Sequence, residues 1–373
     1  MFTRLKILEL ASVLAGPSVG QFFAELGAEV IKIENPHTGG DVTRSWRAEG
    51  ERTDDRSAYF CSCNWGKKSV LLDLTSADDR RKVIQLALQS DIVIASFKPG
   101  DAEKLGVGYE QLREQKPSLI YGMITGYGAA EDRVGYDAVI QAESGFMDMN
   151  GEKDGPPVKM PVALVDILAA HQLKEGLLLA LLKRQQTDDG SKVEVSLFET
   201  ALSSLANQAT NWLVGGILPT RKGSAHPNIA PYGDTFKTSD GKLLLLAVGN
   251  DKQFEALLKI LGLNPADPYW NGMRTNPERV AHRKELNEQL AKAIRQLTSA
   301  FLVQELNRLK IPGGLVRTVG EALADPLSQS ILLQGNGLVG LRGFVGAGLV
   351  NSSPLSAPPH LGEHTVEVLS RLS

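Results

Sequence analysis

The chain has 373 residues, 42% of them hydrophobic and 22% charged, which is typical of a soluble protein long enough for two domains. Lysine and arginine number 40 against 43 acidic residues, and the resulting formal charge of −3 argues against a nucleic-acid partner. Two cysteines, Cys61 and Cys63, are too few for a disulfide framework or a tetrahedral zinc site, and no apolar run approaches the roughly twenty residues of a membrane span. Because a signal-peptide pattern is also missing, we expect a cytoplasmic protein without a metal or a membrane contact.

Short apolar strands alternate with amphipathic helices in the first half of the chain. LKILEL at 5–10 and EVIKIE at 29–34 are predicted strands, and they flank a helix over 18–27 that is preceded by Pro17. The alternation continues with strands at KKSVLLDL, DIVIASF and SLIYGMITGYG and with helices at TSADDRRKVIQLALQ and YEQLREQ. This order predicts an α/β fold with a Rossmann-like, doubly wound parallel sheet.

The second half begins with the longest predicted helix, DILAAHQLKEGLLLALLKRQQ, which starts at Asp166. A strand at SKVEVSL and a single helix over FETALSSLANQATNWLVG follow, and then proline and glycine become frequent. Beyond them, a hairpin around Asp240-Gly241 and two helices, DKQFEALLKILG and RVAHRKELNEQLAKAIRQLT, predict a smaller α+β domain. The two halves together predict a large domain over 1–200, a linker over 201–228 and a small domain over 229–324.

Asp166 is the first candidate for a functional residue. An acidic side chain directly before a long helix lies where backbone N–H groups and the helix dipole keep a carboxylate ionised. Aspartate is also among the preferred N-cap residues, and the local sequence alone favours this purely structural interpretation. Only the surroundings of the side chain in the fold can decide between the two.

The loops LAGP, SFKPG and TGYG follow predicted strands, and doubly wound folds bind ligands at that edge of the sheet. The first loop lacks the G-x-G-x-x-G pattern of dinucleotide-binding proteins, although Glu34 imitates the ribose-binding acid of that motif. His171 is predicted to pack in the core, whereas His226 in the linker is a candidate for lining a cleft between the domains. No serine or cysteine has the histidine pattern of a hydrolase.

Many stretches, taken together and in order, resemble one known family. They are LAGP, GAEVIKIENP, GGDVTRSW, NWGKKSVLLDL, SFKPGDAEKLGVGYEQL, ITGYG, GYDAVIQAESG, AHPNIAPYGDTF, AVGNDKQF and PPHLGEHT. They resemble the class III CoA-transferases, the family of formyl-CoA transferase and carnitine CoA-transferase, over nearly the whole chain. The linker and the small domain look closest to members that use succinyl-CoA and short dicarboxylic acids. The resemblance implies an interlocked homodimer in which 325–373 complete the large, CoA-binding domain, and an acyl-CoA and a small carboxylic acid as ligands.

The resemblance also implies roles for individual residues. Asp166 matches the nucleophile of the family, which forms a mixed anhydride with the acyl group and then a thioester with CoA. The positions that match CoA contacts are Leu14, Ala15, Asn35, Leu72, Asp73, Leu74, Thr75, Ser96, Phe97, Lys98, Lys104, Arg133, Val134, Gly135 and Tyr136. Gln141 and His226 are candidates for the substrate side. Leu14, Asn35 and Lys104 replace a glutamine and two arginines of formyl-CoA transferase, which disfavours the formyl-CoA and oxalate pair.

Two alternatives remain open at this stage. The racemase branch of the superfamily resembles the chain in outline, but it has a histidine where this sequence has Tyr136, and an α-proton shuttle needs two opposed acid/base groups. A non-catalytic protein that binds acyl-CoA would need the same ligand contacts and no nucleophile. The reactivity of Asp166 therefore separates the three hypotheses.

Overall fold

A computed structural model describes residues 1–346, 348–349 and 354–372, and the chain forms two units. The first unit comprises Met1–Phe146, Lys159–Ala206 and Gln329–Ser373, and the second comprises Met147–Val158 and Asn207–Ser328. Up to residue 206 the elements are β1 (Lys6–Leu10), α1 (Ala15–Glu25), β2 (Glu29–Glu34), α2 (Ala58–Cys61), β3 (Lys67–Leu71), α3 (Ala77–Gln89), β4 (Ile92–Ala95), α4 (Asp101–Lys104), α5 (Tyr109–Gln115), β5 (Ile120–Thr125), α6 (Asp137–Glu143), α7 (Phe146–Met149), α8 (Leu164–Thr187), β6 (Ser191–Ser196) and α9 (Leu197–Ser203). They are followed by α10 (Asn207–Leu213), β7 (Tyr232–Lys237), β8 (Leu243–Ala247), α11 (Asp251–Ile260), α12 (Asn276–Ala281), α13 (Arg283–Ile294), α14 (Ser299–Arg308), β9 (Gly313–Leu315), α15 (Val319–Leu323), β10 (Leu332–Gly335), β11 (Leu338–Leu341) and α16 (Thr365–Leu369).

A six-stranded parallel sheet with the order β3-β2-β1-β4-β5-β6 organises the first unit. Its central strands are short runs of isoleucine, leucine and valine that are buried on both faces, as parallel sheets require. Leu8 of β1 pairs with Ile31 on one side and with Val93 on the other. The strand order reverses between β1 and β4, which opens a crevice at the carboxyl ends of these strands. The predicted α/β fold with a parallel sheet is confirmed.

Helix α8 covers the β5–β6 end of the sheet and packs beside α1, which lies over β1 to β4. Leu173 and Leu177 are buried among the side chains of α1, β4 and β5. Gly176 permits the close approach of the helix to β6, because a Cβ there would lie 2.5 Å from Cγ1 of Val193. The helix begins at Leu164, two residues before the predicted start. The first two residues of α8, Leu164 and Val165, therefore lie outside the predicted helix.

The C-terminal residues of the first unit pack beside β3. The β10–β11 hairpin covers Trp65, and a Cβ on Gly340 would lie only 2.3 Å from its indole nitrogen. His364 donates its backbone N–H to the carbonyl of Ser69, and the hydroxyl of Thr365 accepts from the N–H of Leu71. These bonds complete the hydrogen bonding on the outer side of β3.

The second unit contains an antiparallel sheet of order β7-β8-β9, against which α11, α13 and α14 pack through Leu244, Phe254, Leu290 and Leu306. The β7–β8 turn contains Asp240-Gly241, as the sequence predicts. The single helix predicted over 198–215 is wrong. This segment instead forms two helices, α9 and α10, which are separated at Ala206 with its left-handed φ of 48°. No helix in the described part of the chain is both long and apolar enough to cross a membrane.

Candidate active site

A cavity of about 750 Å³ in the first unit has Asp166 in its wall, and this volume is typical of sites for small ligands. The β1–α1 loop contributes Val13 and Leu14, and the segment before β3 contributes Trp46 and Tyr59. The remaining walls come from the start of α6, from the segment over 159–163, from one face of α8 and from Leu341 and Gly343 at the end of β11. Separate parts of the sequence are thus brought together around one aspartate.

Asp166 is the third residue of α8 and not its N-cap, a position that belongs to Ala163. The N–H of Val165 is bound by Asp137, and the N–H of Ile167 by the carbonyl of Ala163. The Asp166 side chain is 8% exposed, and no described residue forms a hydrogen bond or an ion pair with its carboxylate. Both sequence interpretations, a cap and a carboxylate kept ionised by backbone N–H groups, are therefore wrong for this structure.

Burial instead favours the neutral form of the Asp166 carboxyl. Desolvation is the main cause and the nearby charge of Asp137 is the second, and together they raise the pKa of Asp166 to about 7. A carboxyl group of this kind changes its charge near neutral pH. A carboxyl group with a perturbed pKa in the wall of a cavity is characteristic of active sites.

Asp137 and Gln141 on α6 fix the N-terminal end of α8 and the segment before it. Asp137 accepts the N–H of Val165 at 2.8 Å and the side-chain amide of Gln141 at 2.7 Å. The amide oxygen of Gln141 in turn accepts the N–H of Met160 at 2.8 Å. Gln141 is 1% exposed and is not among the residues that line the cavity. Its hydrogen bond instead links the segment over 159–163, which forms part of the cavity wall, to α6. Sequence reasoning missed Asp137, although an acid directly after Tyr136 at the start of a helix was a visible signal.

Two further residues of α8, His171 and Lys174, lie on the face that lines the cavity. The prediction that His171 packs in the core is wrong, because the apolar pattern marks the side of the helix that faces the cavity as well as the side that faces the sheet. Burial, followed by the neighbouring Lys174, lowers the pKa of His171. Burial also lowers the pKa of Lys174 to about 8, and Glu25 opposes this change.

Trp46 and Tyr59 form an aromatic wall that the sequence analysis did not single out. Their rings meet edge to face with centroids 5.2 Å apart. Burial and the charge of Asp166 raise the pKa of Tyr59 to about 12, so its hydroxyl stays protonated and can donate a hydrogen bond inside the cavity. The wall thus offers both an apolar surface and a donor.

A second cavity of about 200 Å³ lies at the carboxyl ends of β1 to β4 in the same unit. Its lining includes Asn35, Leu72, Leu74, Ser96 and Phe97, which are five of the positions predicted to contact CoA. Ser12 lines this smaller cavity, and its neighbour Val13 lines the larger one. The β1–α1 loop therefore borders both cavities.

The family model of CoA-transferase family III matches residues 3–365. The chain belongs to this family. It is 37% identical to the succinate–glutarate CoA-transferase of Agrobacterium fabrum, over 99% of the chain and 94% of the relative. It is 34% identical to the succinyl-CoA:glutarate CoA-transferase of Mus musculus, over 99% of the chain and 85% of the relative. The solved structure of a CAIB/BAIF family protein from Brucella suis matches with a TM-score of 0.85 at 38% identity, covering 99% of this chain and 98% of that one. The resemblance inferred from the sequence is thereby confirmed.

Some of the remaining predicted CoA contacts of this class III CoA-transferase line the larger cavity or lie next to residues that line one of the two. Leu14 and Tyr136 line the larger one, and Ala15 is buried at the start of α1. Asp73 accepts from the N–H and the hydroxyl of Thr75 beside the smaller cavity.

The other positions predicted to contact CoA are basic residues and loop residues, and most of them are exposed to solvent. Lys98 is exposed, and Lys104 is exposed with an ion pair to Asp101. Arg133 stacks over the ring of Tyr127, with its guanidinium carbon 4.0 Å from the ring centroid. Val134 is exposed, whereas Gly135 packs against the backbone of Gly126. These positions have not been tested as CoA contacts and stay predictions.

His226 of the transferase belongs to the second unit, where it is half-buried and its ring contacts that of Tyr232 edge to face. Its role on the substrate side stays a prediction. Among the described residues, the group Asp54, Asp55 and His360 has side chains that bind metals in other proteins. It lies at the surface, and its members are already paired, His360 with Asp55 and Asp54 with Arg56.

Proposed function

We propose that this chain transfers CoA from an acyl-CoA to a carboxylic acid through an aspartyl-CoA thioester on Asp166, and that both acids are short dicarboxylates. One observation carries the proposal: in a member of CoA-transferase family III, a buried carboxylate that has no partner among the described residues lies in the wall of a cavity of about 750 Å³. The relatives named for succinate and glutarate support the choice of substrates.

The chemistry exchanges one thioester for another without net consumption of water. An oxygen of the Asp166 carboxylate attacks the thioester carbonyl, the carbon–sulfur bond breaks, and CoA leaves as the thiolate while the acyl group stays on Asp166 as a mixed anhydride. The thiolate then attacks the aspartyl carbonyl, which releases the donor acid and leaves CoA on Asp166. The acceptor carboxylate repeats the two steps in reverse. The apolar wall around Asp166 supports this route because it limits the access of water to the activated intermediates.

We further propose that CoA follows the β1–α1 loop. This loop borders both cavities, so a single molecule could place its nucleotide in the smaller cavity and its thioester beside Asp166. Lys98 and Lys104 are exposed on the segments after β4, and we propose that they bind phosphates, for which Lys104 would exchange its surface ion pair with Asp101. The protonated hydroxyl of Tyr59 is a candidate donor to the oxyanion that forms when the thioester carbonyl is attacked.

Incubation with succinyl-CoA in the absence of an acceptor is expected to leave CoA attached to the peptide that contains Asp166, which mass spectrometry of a digest detects. Adding glutarate should remove the adduct and release glutaryl-CoA. Asp166→Asn should give no adduct, whereas Asp189→Asn, an exposed acid after the same helix, should behave as the wild type. Full turnover in Asp166→Asn would exclude the proposal. Deuterium entering the α-carbon of a branched acyl-CoA without an acceptor would favour an isomerase instead.

The rate of adduct formation is expected to rise with pH and to level off above about pH 7. Only the ionised carboxylate attacks, and the pKa of Asp166 is raised to about 7 by burial and by Asp137. Asp137→Asn removes one of the two causes, so the midpoint of the pH profile should move to lower pH. Rapid-quench measurements between pH 5 and 8 test both expectations. A profile that is flat over this range would contradict the burial of the reacting carboxyl group.

A further inference from the structure

Lys174 is a buried cation without an ion-pair or hydrogen-bond partner among the described residues. Its side chain is 7% exposed, yet it lines the cavity that contains Asp166. Among the described residues no oxygen accepts a hydrogen bond from its ammonium group and no carboxylate lies within ion-pair distance. The nearest aromatic group is the ring of Phe22, whose centroid is 5.4 Å from Nζ. Buried charges are normally paired because their desolvation is costly.

Other buried lysines of the same unit follow that rule. Nζ of Lys32 lies 3.0 Å from Glu9 and 2.9 Å from Asp41, and Nζ of Lys67 lies 2.8 Å from Glu9. The carboxylate that influences Lys174, Glu25, is occupied elsewhere. It accepts from the side chain of Gln21 and from two backbone N–H groups of the segment after β11. The fold therefore leaves the charge of Lys174 for a ligand in the cavity.

The position of Lys174 on α8 defines what such a ligand would be. It follows Asp166 by eight residues, which corresponds to about 12 Å along a helix axis. Side chains of a helix lean towards its N-terminus, so the long lysine side chain shortens the distance between the ammonium and the carboxylate. A molecule that reacts at Asp166 and carries a second negative charge a few bonds away would reach both groups. A short dicarboxylate has this form.

We propose that Lys174 binds the distal carboxylate of the dicarboxylic acyl group and acceptor acid while the other carboxyl group reacts at Asp166. The proposal rests on the CoA-transferase function and adds the residue that selects its substrates. Because the cation is desolvated, an ion pair with the distal carboxylate would be stronger here than at the surface. An acid with a methyl group in place of the distal carboxylate would leave the lysine charge without a partner.

The test compares Lys174→Met with the wild type on two matched substrate pairs, succinyl-CoA with glutarate and butyryl-CoA with valerate. Methionine retains the length of the side chain without its charge. We expect kcat/KM for the dicarboxylates to fall about 10- to 100-fold and that for the monocarboxylates to stay constant or rise. Lys174→Arg should retain more of the preference for dicarboxylates than Lys174→Met. Lys183→Met, which removes an exposed lysine of the same helix, serves as the control.

The outcomes separate this inference from the function on which it rests. If the wild type transfers CoA and Lys174→Met keeps the same ratio of kcat/KM for the two substrate pairs, the assignment of Lys174 is wrong and the transferase function stands. If the wild type forms no adduct from any acyl-CoA, both proposals are wrong. Thermal denaturation shows whether Lys174→Met is folded, and loss of an unpaired buried charge should stabilise it. An equal loss with both substrate pairs in a folded variant would also overturn the assignment.

Discussion

Asp166→Asn is expected to reduce CoA transfer by about 10³-fold or more, because asparagine cannot form the anhydride and the thioester of the proposed route. The amide has nearly the shape of the neutral carboxyl group, so the cavity and the affinity for CoA should be retained. Isothermal titration with CoA and a coupled assay of glutaryl-CoA formation measure the two quantities. Joint loss of CoA affinity and activity would indicate a role in binding instead.

The same substitution should stabilise the protein in a pH-dependent way. The pKa of Asp166 is raised by burial and by Asp137 from an ordinary 3.8 to about 7, so between these values the folded state binds one more proton than the unfolded state. The free energy of unfolding of the wild type therefore falls as pH rises through this window, and the asparagine variant lacks this loss. The stability gain should be near zero at pH 4 and on the order of 4 kcal/mol at pH 8.

Urea denaturation of both proteins at pH 5 and pH 8 measures this difference, with Asp189→Asn as the exposed control. An equal difference between wild type and Asp166→Asn at both pH values would mean that the carboxyl group is ionised in the folded state. A buried carboxylate that lowers the stability of the free protein agrees with the general finding that functional residues are often suboptimal for folding. The proposed reaction and the folded core thus have opposing requirements at Asp166.

The parallel sheet was predictable because β1, β4 and β5 contain short apolar runs and because these strands alternate with helices that have an amphipathic period. The resemblance identified Asp166 as the candidate nucleophile, but it did not predict the raised pKa of its carboxyl group. This pKa depends on Asp137, which lies 29 positions earlier in the sequence, and on a cavity to which six separate segments contribute. A carboxylate at a helix start is ionised by backbone N–H groups only if those groups are free. Here Asp137 and Ala163 already bind the neighbouring N–H groups.

His171 and Lys174 show a second limit of the sequence. An apolar period on a helix indicates which side is withdrawn from water, but a cavity wall and a packed core give the same pattern. Lys174 interrupts the apolar face of α8, and such a residue is a visible sign that the face does not only pack against protein. The break between α9 and α10 had no comparable sign, since Ala206 adopts a left-handed conformation without a glycine or an asparagine.

Lys32→Met is expected to lower the free energy of unfolding by about 3–5 kcal/mol, because it breaks a buried charge network. Lys32 is fully buried, and its Nζ lies beside Glu9, Asp41 and the carbonyl oxygen of Ala11. Burial alone would lower the pKa of Lys32, but Glu9 and Asp41 reverse this and raise it. Without the lysine, the buried carboxylate of Asp41 would lose its ion pair, and Glu9 would keep only Lys67.

The substitution should also affect the site, because Asp41 connects the network to the β1–α1 loop. Its Oδ1 accepts the N–H of Val13, which has a left-handed φ of 74° and lines the Asp166 cavity. Such a conformation in a β-branched residue persists only when its surroundings hold it. Lys32→Met should therefore lower the affinity for CoA at temperatures at which the variant is still folded.

Chemical denaturation and CoA titration of Lys32→Met measure both effects, with Lys68→Met as the matched control. Lys68 is a partly exposed lysine of β3 whose ion pairs with Glu29 and Glu367 are near solvent, so its loss should cost no more than about 1 kcal/mol. Adding Asp41→Asn to Lys32→Met removes the excess negative charge and should recover part of the stability. It should not recover CoA binding in full, because the carbonyl of Ala11 still lacks its donor. Equal stability of Lys32→Met and Lys68→Met would show that the loop is held without the buried network.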